Sequence, residues 1–123
     1  MLKGQDLIFL QKYISLKENK DFQRAYYRGK SCAKPALVVY CVKNRAGVCR
    51  VGITTGKKIG NAVERNRSRR IIRAAFQSII KDNQLRTNCD LVFVARGKTK
   101  YLKSHQVAQA MLEGLKEVGA IRS

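Results

Sequence analysis

Residues 57–73 read K-K-I-G-N-A-V-E-R-N-R-S-R-R-I-I-R, a run with seven basic side chains and one acidic side chain. Its second half begins an apolar pattern at helical spacing. Ile71, Ile72, Ala75 and Ile79 share one side of a helical wheel, and Phe76 lies at the edge of that side. A basic run without such a pattern would be a tail. This one is tied to a core, and a rigid positive stripe suits recognition of a shaped polyanion.

The helix is expected to run from Asn61 to about Asn83. Asn61 with Glu64 three residues later fits an N-terminal capping box, and the Glu64 carboxylate also suits the positive end of the helix dipole. Arginines occupy the rest of the circumference, with Arg65 near the boundary: Arg67, Arg69, Arg70 and Arg73. The pattern predicts a helix that is anchored by its second half and displays charge from its first.

The overall charge points to the same class of partner. The 123 residues carry 26 Lys plus Arg against 8 Asp plus Glu, a net charge of +18 with a sequence pI near 10.3. A chain with 45% hydrophobic residues can form the core of one domain. Self-repulsion on this scale is tolerated when a polyanion neutralises it, so nucleic acid is the favoured partner. A membrane surface is the weaker alternative, because no segment is both amphipathic and long enough to lie on lipid.

The cysteine pattern favours free thiols in a reducing cytosol. Cysteines stand at positions 32, 41, 49 and 89, without a C-x-x-C pair, and His105 is the one histidine, so zinc-site spacing is absent. Cys41 and Cys49 would face each other across a hairpin, but no disulfide is expected. The N-terminal apolar run Leu7–Leu10 is too short for a signal peptide, and the protein is expected to be soluble and cytoplasmic.

Several shorter elements are predicted before the basic helix. Residues 1–15 are interpreted as an N-terminal extension of uncertain structure. Asn19 is expected to cap a helix that continues through Arg28 and stops at Gly29. Residues 37–42 and 48–55 are rich in β-branched residues, and the short linker between them predicts that these two strands form a hairpin.

The chain after the basic helix adds one strand and one helix. The strand covers residues 90–96, and a basic loop with a single aromatic residue, Tyr101, follows it. A last helix starts near Ser104 as its cap and buries one apolar side: Val107, Met111, Leu115 and Val118. The order predicts an α/β (α+β) two-layer sandwich, in which a β-α-β unit makes strands 48–55 and 90–96 parallel.

Enzyme signatures are weak. Residues 52–58, G-I-T-T-G-K-K, depart from a phosphate-binding loop, because three residues instead of four separate the glycines and Lys58 replaces the hydroxyl residue that holds magnesium. His105 has no partner at catalytic spacing. The acidic residues are scattered, so no carboxylate cluster is available for catalytic metals. The chain is therefore interpreted as a binding protein.

The basic helix and the aromatic residues each have an alternative interpretation. Most charge runs are solvated faces, but a solvated face usually alternates Glu with Lys, and this one is nearly all arginine, whose planar fork contacts phosphate. Phe22 and Tyr26 share a helix face that is a core face by default. Alternatively, they form a groove with Tyr40 of the first strand and with Arg50 and Thr54, which alternate on the next strand. Unpaired bases would stack in such a groove.

Residues 57–73 closely resemble the signature of the bacterial ribonuclease P protein subunit. That family's pattern runs basic-basic-x-G-x-A-V-x-R-N-x-x-basic-R-x-x-R, and every fixed position is filled here. Leu16-Lys17 followed by Asp21-Phe22 and Tyr26, and the later Val94-Ala95-Arg96, are also similar to the family. The resemblance covers about residues 16–119, which are interpreted as a single domain, followed by a short C-terminal end at 120–123.

The resemblance implies a small mixed sheet packed by about three helices, with a β-α-β crossover of the unusual left-handed type. It also implies a protein cofactor of a catalytic RNA that cleaves the 5′ leader from precursor tRNA. One protein per RNA is expected, without a membrane partner. Divalent metal (Mg²⁺) held mainly by the RNA would hydrolyse the phosphodiester, with no organic cofactor. The sequence does not place metal ions on the protein.

The family's functional residues carry over to two sets of positions. The first set would contact the RNA subunit: Lys57, Lys58, Asn61, Arg65, Asn66, Arg67, Arg69, Arg70 and Arg73. Gly60 would permit the tight entry to the helix. The second set would line a cleft for the single-stranded leader: Phe22, Tyr26 and Tyr40 by the resemblance, with Arg50 and Thr54 added because they alternate on the next strand. The alternatives are a ribosomal or other structural RNA-binding protein, a small DNA-binding protein, and a nuclease that acts without an RNA subunit.

Overall fold

The computed structural model describes residues 13–121. This part of the chain forms five strands and three α-helices, in the order β1 (Tyr13–Ser15), α1 (Asn19–Arg28), β2 (Lys30–Ala33), β3 (Leu37–Lys43), β4 (Cys49–Thr54), α2 (Ala62–Asp82), β5 (Cys89–Ala95) and α3 (Ser104–Glu117). Two short 3₁₀ turns, Lys57–Ile59 and Thr99–Tyr101, precede α2 and α3. No helix within these described residues is long and apolar enough to cross a membrane.

The strands form one mixed sheet in the order β1-β4-β5-β3-β2. β5 runs parallel to β4 and antiparallel to β3, while β1 is parallel to β4 and β2 is antiparallel to β3. The predicted β-α-β unit from β4 through α2 to β5 is thus confirmed, as is the mixed α/β class with about three helices. The left-handedness of that crossover stays a prediction.

Helices cover both faces of the sheet. On one face, α2 and α3 pack side chains such as Ile72 and Met111 against Val39, Leu91 and Phe93 of the strands, and all five are fully buried. On the other face, α1 packs Ala25 against Val92 of β5. Because only one helix covers this second face, part of it stays open. Tyr40 and Val94 are half-buried there.

The predicted hairpin between residues 37–42 and 48–55 is wrong. β5 lies between β3 and β4, and the hairpin partner of β3 is β2, a strand that the pattern did not reveal. Alternation within a strand identifies its buried face but not its neighbour. The connecting segment instead passes the end of β5, where the Asn44 N–H donates to the Asn88 carbonyl at 2.8 Å. Strands lie about 4.8 Å apart, so a five-residue linker easily spans two strand spacings.

Both ends of the predicted domain need correction. Tyr13–Ser15, assigned to the extension, form the edge strand β1 on Cys49–Val51 of β4. At the other end, Ala120 and Ile121 are buried, and Ile121 forms a β-bridge with Leu85, so the first half of the predicted C-terminal end belongs to the core. The remainder of the predicted extension, residues 1–12, lies outside the described residues.

Two helix caps also differ from the prediction. Glu18 instead of Asn19 is the N-cap of α1, and Lys103 instead of Ser104 is the N-cap of α3. The predicted stop at Gly29 is confirmed, since its N–H donates to the Ala25 carbonyl at 3.0 Å. The predicted buried side of α3 is confirmed as well. All four cysteines are buried and free, and Cys41 and Cys49 lie on strands that β5 separates.

Candidate nucleic-acid interface

The basic helix α2 starts at a fixed position. The Glu64 N–H donates to Asn61 Oδ1 at 2.9 Å, and the Asn61 N–H donates to Glu64 Oε1 at 3.1 Å, which completes the predicted capping box. Lys100 Nζ also lies 2.8 Å from Glu64 Oε2 and donates to the Ile59 carbonyl at 2.6 Å. The hydrogen bonds from Lys100 and from the Asn61 backbone lower the pKa of Glu64. The start of α2 therefore keeps its geometry before any ligand binds.

Gly60 provides the backbone turn into this cap. Its φ is 136° with ψ of −154°, a conformation that residues with a Cβ rarely adopt. A Cβ at this position would also collide with the Glu64 carboxylate. We expect Gly60→Ala to lower the free energy of unfolding by about 1–3 kcal/mol. Urea unfolding would measure the change, with Gly56→Ala as the control because a Cβ there meets open space. Equal stability of the two variants would contradict this role of Gly60.

Arginines whose side chains have no hydrogen-bond or ion-pair partner among the described residues lie on the surface of α2. Asn66, Arg67, Arg70 and Arg73 are exposed, and Arg65 is half-buried. Within residues 13–121, none of these four arginine side chains forms a hydrogen bond or an ion pair. Free guanidinium groups on a rigid helix are available for phosphate without first breaking protein contacts.

The helix surface is concave where these side chains meet. A shallow depression is lined by Val63, Asn66, Arg69, Arg70 and Arg73. Val63 keeps 65% of its surface exposed and gives the depression an apolar rim. Lys57 and Lys58, in the turn just before α2, are exposed and extend the basic surface. Of the predicted first set, the structure thus brings Asn66, Arg69, Arg70 and Arg73 to one depression on α2, with Lys57 and Lys58 in the turn before it.

Arg69 differs from the other arginines of this set. Its guanidinium donates to the Ile53 carbonyl at 3.3 Å and to Thr55 Oγ1 at 2.7 Å. Both acceptors lie at the end of β4, so Arg69 ties α2 to the sheet while only part of it remains exposed. From the sequence alone Arg69 was grouped with the exposed arginines, because a helical wheel does not show that the end of β4 lies beside this residue.

Four residues of the predicted cleft come together where α1 packs on the sheet. The rings of Tyr26 and Tyr40 meet edge to face with their centroids 5.1 Å apart, and the Tyr26 hydroxyl hydrogen-bonds Thr54 Oγ1 at 2.7 Å. Phe22 packs directly over Gly52, where any Cβ would overlap the Phe22 ring. All four predicted residues are half-buried. They are at once the edge of a small core around Val92 and the wall of an open sheet face.

Arg50 does not belong to this wall as a free cation. It donates to both carboxylate oxygens of Asp90, at 2.7 Å and 2.9 Å, and contacts Asp21 at 3.5 Å. Arg24 of α1 donates to the same Asp90 at 2.9 Å, and Asn44 does so at 2.7 Å. Arg50 therefore helps to fasten α1 to the sheet, and its place in the cleft stays a prediction.

Asp90 at the centre of this ion cluster was missed from the sequence. Its side chain is completely buried. Burial alone would raise the pKa of Asp90, but hydrogen bonds from Arg50, Asn44 and Arg24 outweigh burial and hold that pKa below its usual value. The sequence did contain a signal for this cluster, namely one acidic residue in an otherwise apolar strand. A carboxylate buried in such a strand requires hydrogen-bond or ion-pair partners.

The fold and surface together define an RNA-binding α/β domain, with a basic capped helix on one side of a mixed sheet and an aromatic face on the other. Residues 10–119 match the model of the family described as Ribonuclease P. The chain belongs to the ribonuclease P protein family. Proteins of this family are the protein component of an endoribonuclease that processes tRNA, and they bind its RNA subunit.

Curated relatives and solved structures support the assignment. The ribonuclease P protein component of Clostridioides difficile (strain 630) is 44% identical over 85 residues, which cover 69% of this chain and 74% of the relative. That of Clostridium botulinum (strain Loch Maree) is 35% identical over 104 residues, covering 85% and 93%. The RNase P protein of Staphylococcus aureus superposes with a TM-score of 0.73 at 32% identity, covering 90% and 98%. The Thermotoga maritima protein gives 0.73 at 26% identity, covering 86% and 98%.

The described residues do not offer a metal site of their own. Among residues 13–121, no group of three or more His, Cys, Asp and Glu side chains is placed to hold a metal ion. Asp21 and Asp90 face arginines, and Glu64 is bound by Lys100 and the Asn61 backbone. The divalent metal that the family implies does not fit these side chains, and we derive no step through a metal bound to the protein.

Proposed function

We propose that this chain docks α2 on the RNA subunit of ribonuclease P and holds the single-stranded 5′ leader of precursor tRNA against the open sheet face. The observation that carries the proposal is a set of arginines that have no hydrogen-bond or ion-pair partner among residues 13–121, on a helix whose first turn is held by a capping box. Because the backbone that carries these cations is already ordered, little conformational entropy is lost when they contact phosphates.

The two RNAs use different surfaces in this proposal. The docking surface comprises Lys57, Lys58, Asn61, Arg65, Asn66, Arg67, Arg70 and Arg73, with Arg69 contributing its exposed part. The leader surface comprises Phe22, Tyr26, Tyr40 and Thr54. α2 and the aromatic residues pack on opposite faces of the sheet. The chain would thus neutralise phosphates of two RNA molecules that otherwise repel each other.

Chemistry is assigned to the RNA subunit. Mg²⁺ bound mainly by RNA would support hydrolysis of one phosphodiester, and the protein would contribute positioning and charge neutralisation. We further propose a stoichiometry of one protein per RNA and a cytoplasmic location. If about six or seven phosphates are contacted, the affinity for RNA falls by several orders of magnitude between low and moderate salt.

Reconstitution separates this function from its alternatives. The purified chain is added to ribonuclease P RNA at low magnesium, and cleavage of precursor tRNA is followed with and without that RNA. We expect cleavage only when both components are present. Cleavage by the protein alone would indicate a nuclease that needs no RNA subunit. Failure to stimulate the RNA would favour a structural RNA-binding protein, and preferential binding of duplex DNA would favour a DNA-binding protein.

The leader surface predicts a substrate-selective defect. Tyr40→Leu keeps apolar bulk on β3 but removes the stacking ring, so the reconstituted enzyme should bind precursor tRNA about 5- to 100-fold more weakly. Mature tRNA, which has no leader, should bind as before. Tyr40→Phe serves as the control because it keeps the ring. Equal weakening for precursor and mature tRNA would show that Tyr40 acts through the fold alone, and thermal unfolding of each variant would reveal that.

A further inference from the structure

We propose that the basic loop between β5 and α3, residues 96–103, is a second contact with the RNA subunit, in which the Tyr101 ring stacks on an unpaired base. This inference rests on the proposed function and extends it beyond α2. The loop reads R-G-K-T-K-Y-L-K, with four basic residues and no acidic one. No role of the leader surface or of α2 accounts for it.

The loop is rigid although it is short and polar. Thr99 is fully buried, its hydroxyl donates to the Ala36 carbonyl at 2.5 Å, and it accepts from the Arg96 N–H at 2.9 Å. The Arg96 guanidinium donates to the Lys34 carbonyl at 3.0 Å. The turn Thr99–Tyr101 is closed by the Tyr101 N–H, which donates to the Lys98 carbonyl at 3.1 Å. A loop held in this way loses little conformational entropy when it binds.

Tyr101 projects from this rigid turn into solvent. Its side chain is 76% exposed, whereas the aromatic residues under α1 are half-buried. Lys100 Nζ lies over one face of the ring, 5.2 Å from its centroid. Most of the side chain is nevertheless open to solvent. An aromatic ring that projects from a fixed turn into solvent is suited to stack on a base, because every base offers a π-face.

The loop is continuous with the docking surface of α2. Lys100 joins the two directly, since the same Nζ contacts Glu64 of the capping box and the Ile59 carbonyl. Lys98 and Lys103 are exposed, and neither side chain has a hydrogen-bond or ion-pair partner among residues 13–121. Because the loop is fixed to the start of α2, we assign it to the RNA subunit and not to the leader of precursor tRNA.

The test measures equilibrium binding of the full-length chain to ribonuclease P RNA by filter retention. Tyr101→Ala should weaken binding about 10-fold, while Tyr101→Phe should bind nearly as the unaltered protein does. Tyr27→Ala is the matched control, because Tyr27 is 83% exposed on α1 and belongs to neither proposed surface. The double variant Lys98→Ala/Lys103→Ala should lower the slope of log affinity against log salt by roughly 2.

The possible outcomes separate this inference from the proposed function. If the unaltered chain does not bind the RNA subunit, the proposed function fails. If the unaltered chain binds and Tyr101→Ala binds equally well, only the assignment of the loop is overturned. Weaker binding of precursor tRNA to the holoenzyme, with unchanged binding to the RNA subunit, would also overturn it, since the loop would then contact substrate. Chemical footprinting should show one unpaired base that the unaltered chain protects and Tyr101→Ala leaves reactive.

Discussion

Asp90→Asn is expected to lower the free energy of unfolding by about 2–4 kcal/mol. Removing one partner of a buried ion pair typically costs about 3–5 kcal/mol, because the other charge stays buried without compensation. Here two guanidinium groups, those of Arg24 and Arg50, lose their shortest carboxylate contact and keep only the longer contacts with Asp21, at 3.4 Å and 3.5 Å. The Arg24 side chain keeps 38% of its surface exposed, so water relieves part of the penalty and the expected value falls below that range. Urea unfolding followed by circular dichroism measures the change.

The matched control is Asp82→Asn, which makes the same change in net charge at an exposed position at the end of α2. It should alter stability by less than about 0.5 kcal/mol. Equal effects of the two variants would mean that net charge, and not the ion cluster around Asp90, sets the stability.

The ion cluster also predicts a pH dependence of stability. The pKa of Asp90 is lower in the folded chain than its ordinary value. Its contribution is therefore fully present above the unfolded pKa of about 3.9 and is lost as the pH falls through the lower folded pKa. The unaltered chain should lose more stability below about pH 4 than Asp90→Asn does. Parallel loss in both proteins would assign acid unfolding to other carboxylates.

Charge reversal on α2 is expected to abolish docking on the RNA subunit while leaving the fold intact. Arg70→Glu/Arg73→Glu removes two exposed guanidinium groups that have no partner among the described residues. A hydrogen bond to a charged group contributes about 1.5–3 kcal/mol, so losing two should weaken binding on the order of 10²- to 10⁴-fold at moderate salt. Filter binding at several salt concentrations gives the affinity and its salt slope.

The control for this pair is Lys81→Glu/Lys116→Glu. It makes the same change in net charge at exposed positions in the last turns of α2 and α3. It should weaken binding far less, because it lies away from the docking surface. If both pairs weaken binding alike, the contact is a general charge effect and α2 is not the docking helix. Arg69 is avoided in this test, since its bonds to the end of β4 would mix a loss of stability with a loss of binding.

Local features of the chain were correctly predicted from sequence. The Asn61–Glu64 pair, the apolar side of α2 and the alternation in β3 each depend on residues within a few positions of one another. The order of Gly, Asn and Arg in residues 57–73 resembled one family closely, and the match over residues 10–119 confirmed it. The positive surface of α2 followed from the same local pattern.

The neighbours of each strand were decided only by the tertiary structure. β5 has both faces buried, and its place between β3 and β4 satisfies hydrogen bonds and burial on both sides at once. Edge strands β1 and β2 are three and four residues long, too short for a periodic signal. Pairing between distant segments is chosen by the total burial of the sheet, which no local window contains.

The same distinction separates free cations from structural ones. Sequence determined that α2 is a capped, arginine-rich helix, because capping and periodicity are local. Only the structure showed that Arg50 is occupied by Asp90, 40 positions away, and that Arg69 is tied to the end of β4. A buried carboxylate requires partners from wherever the fold supplies them, and that physical requirement decided which arginines stay available to RNA.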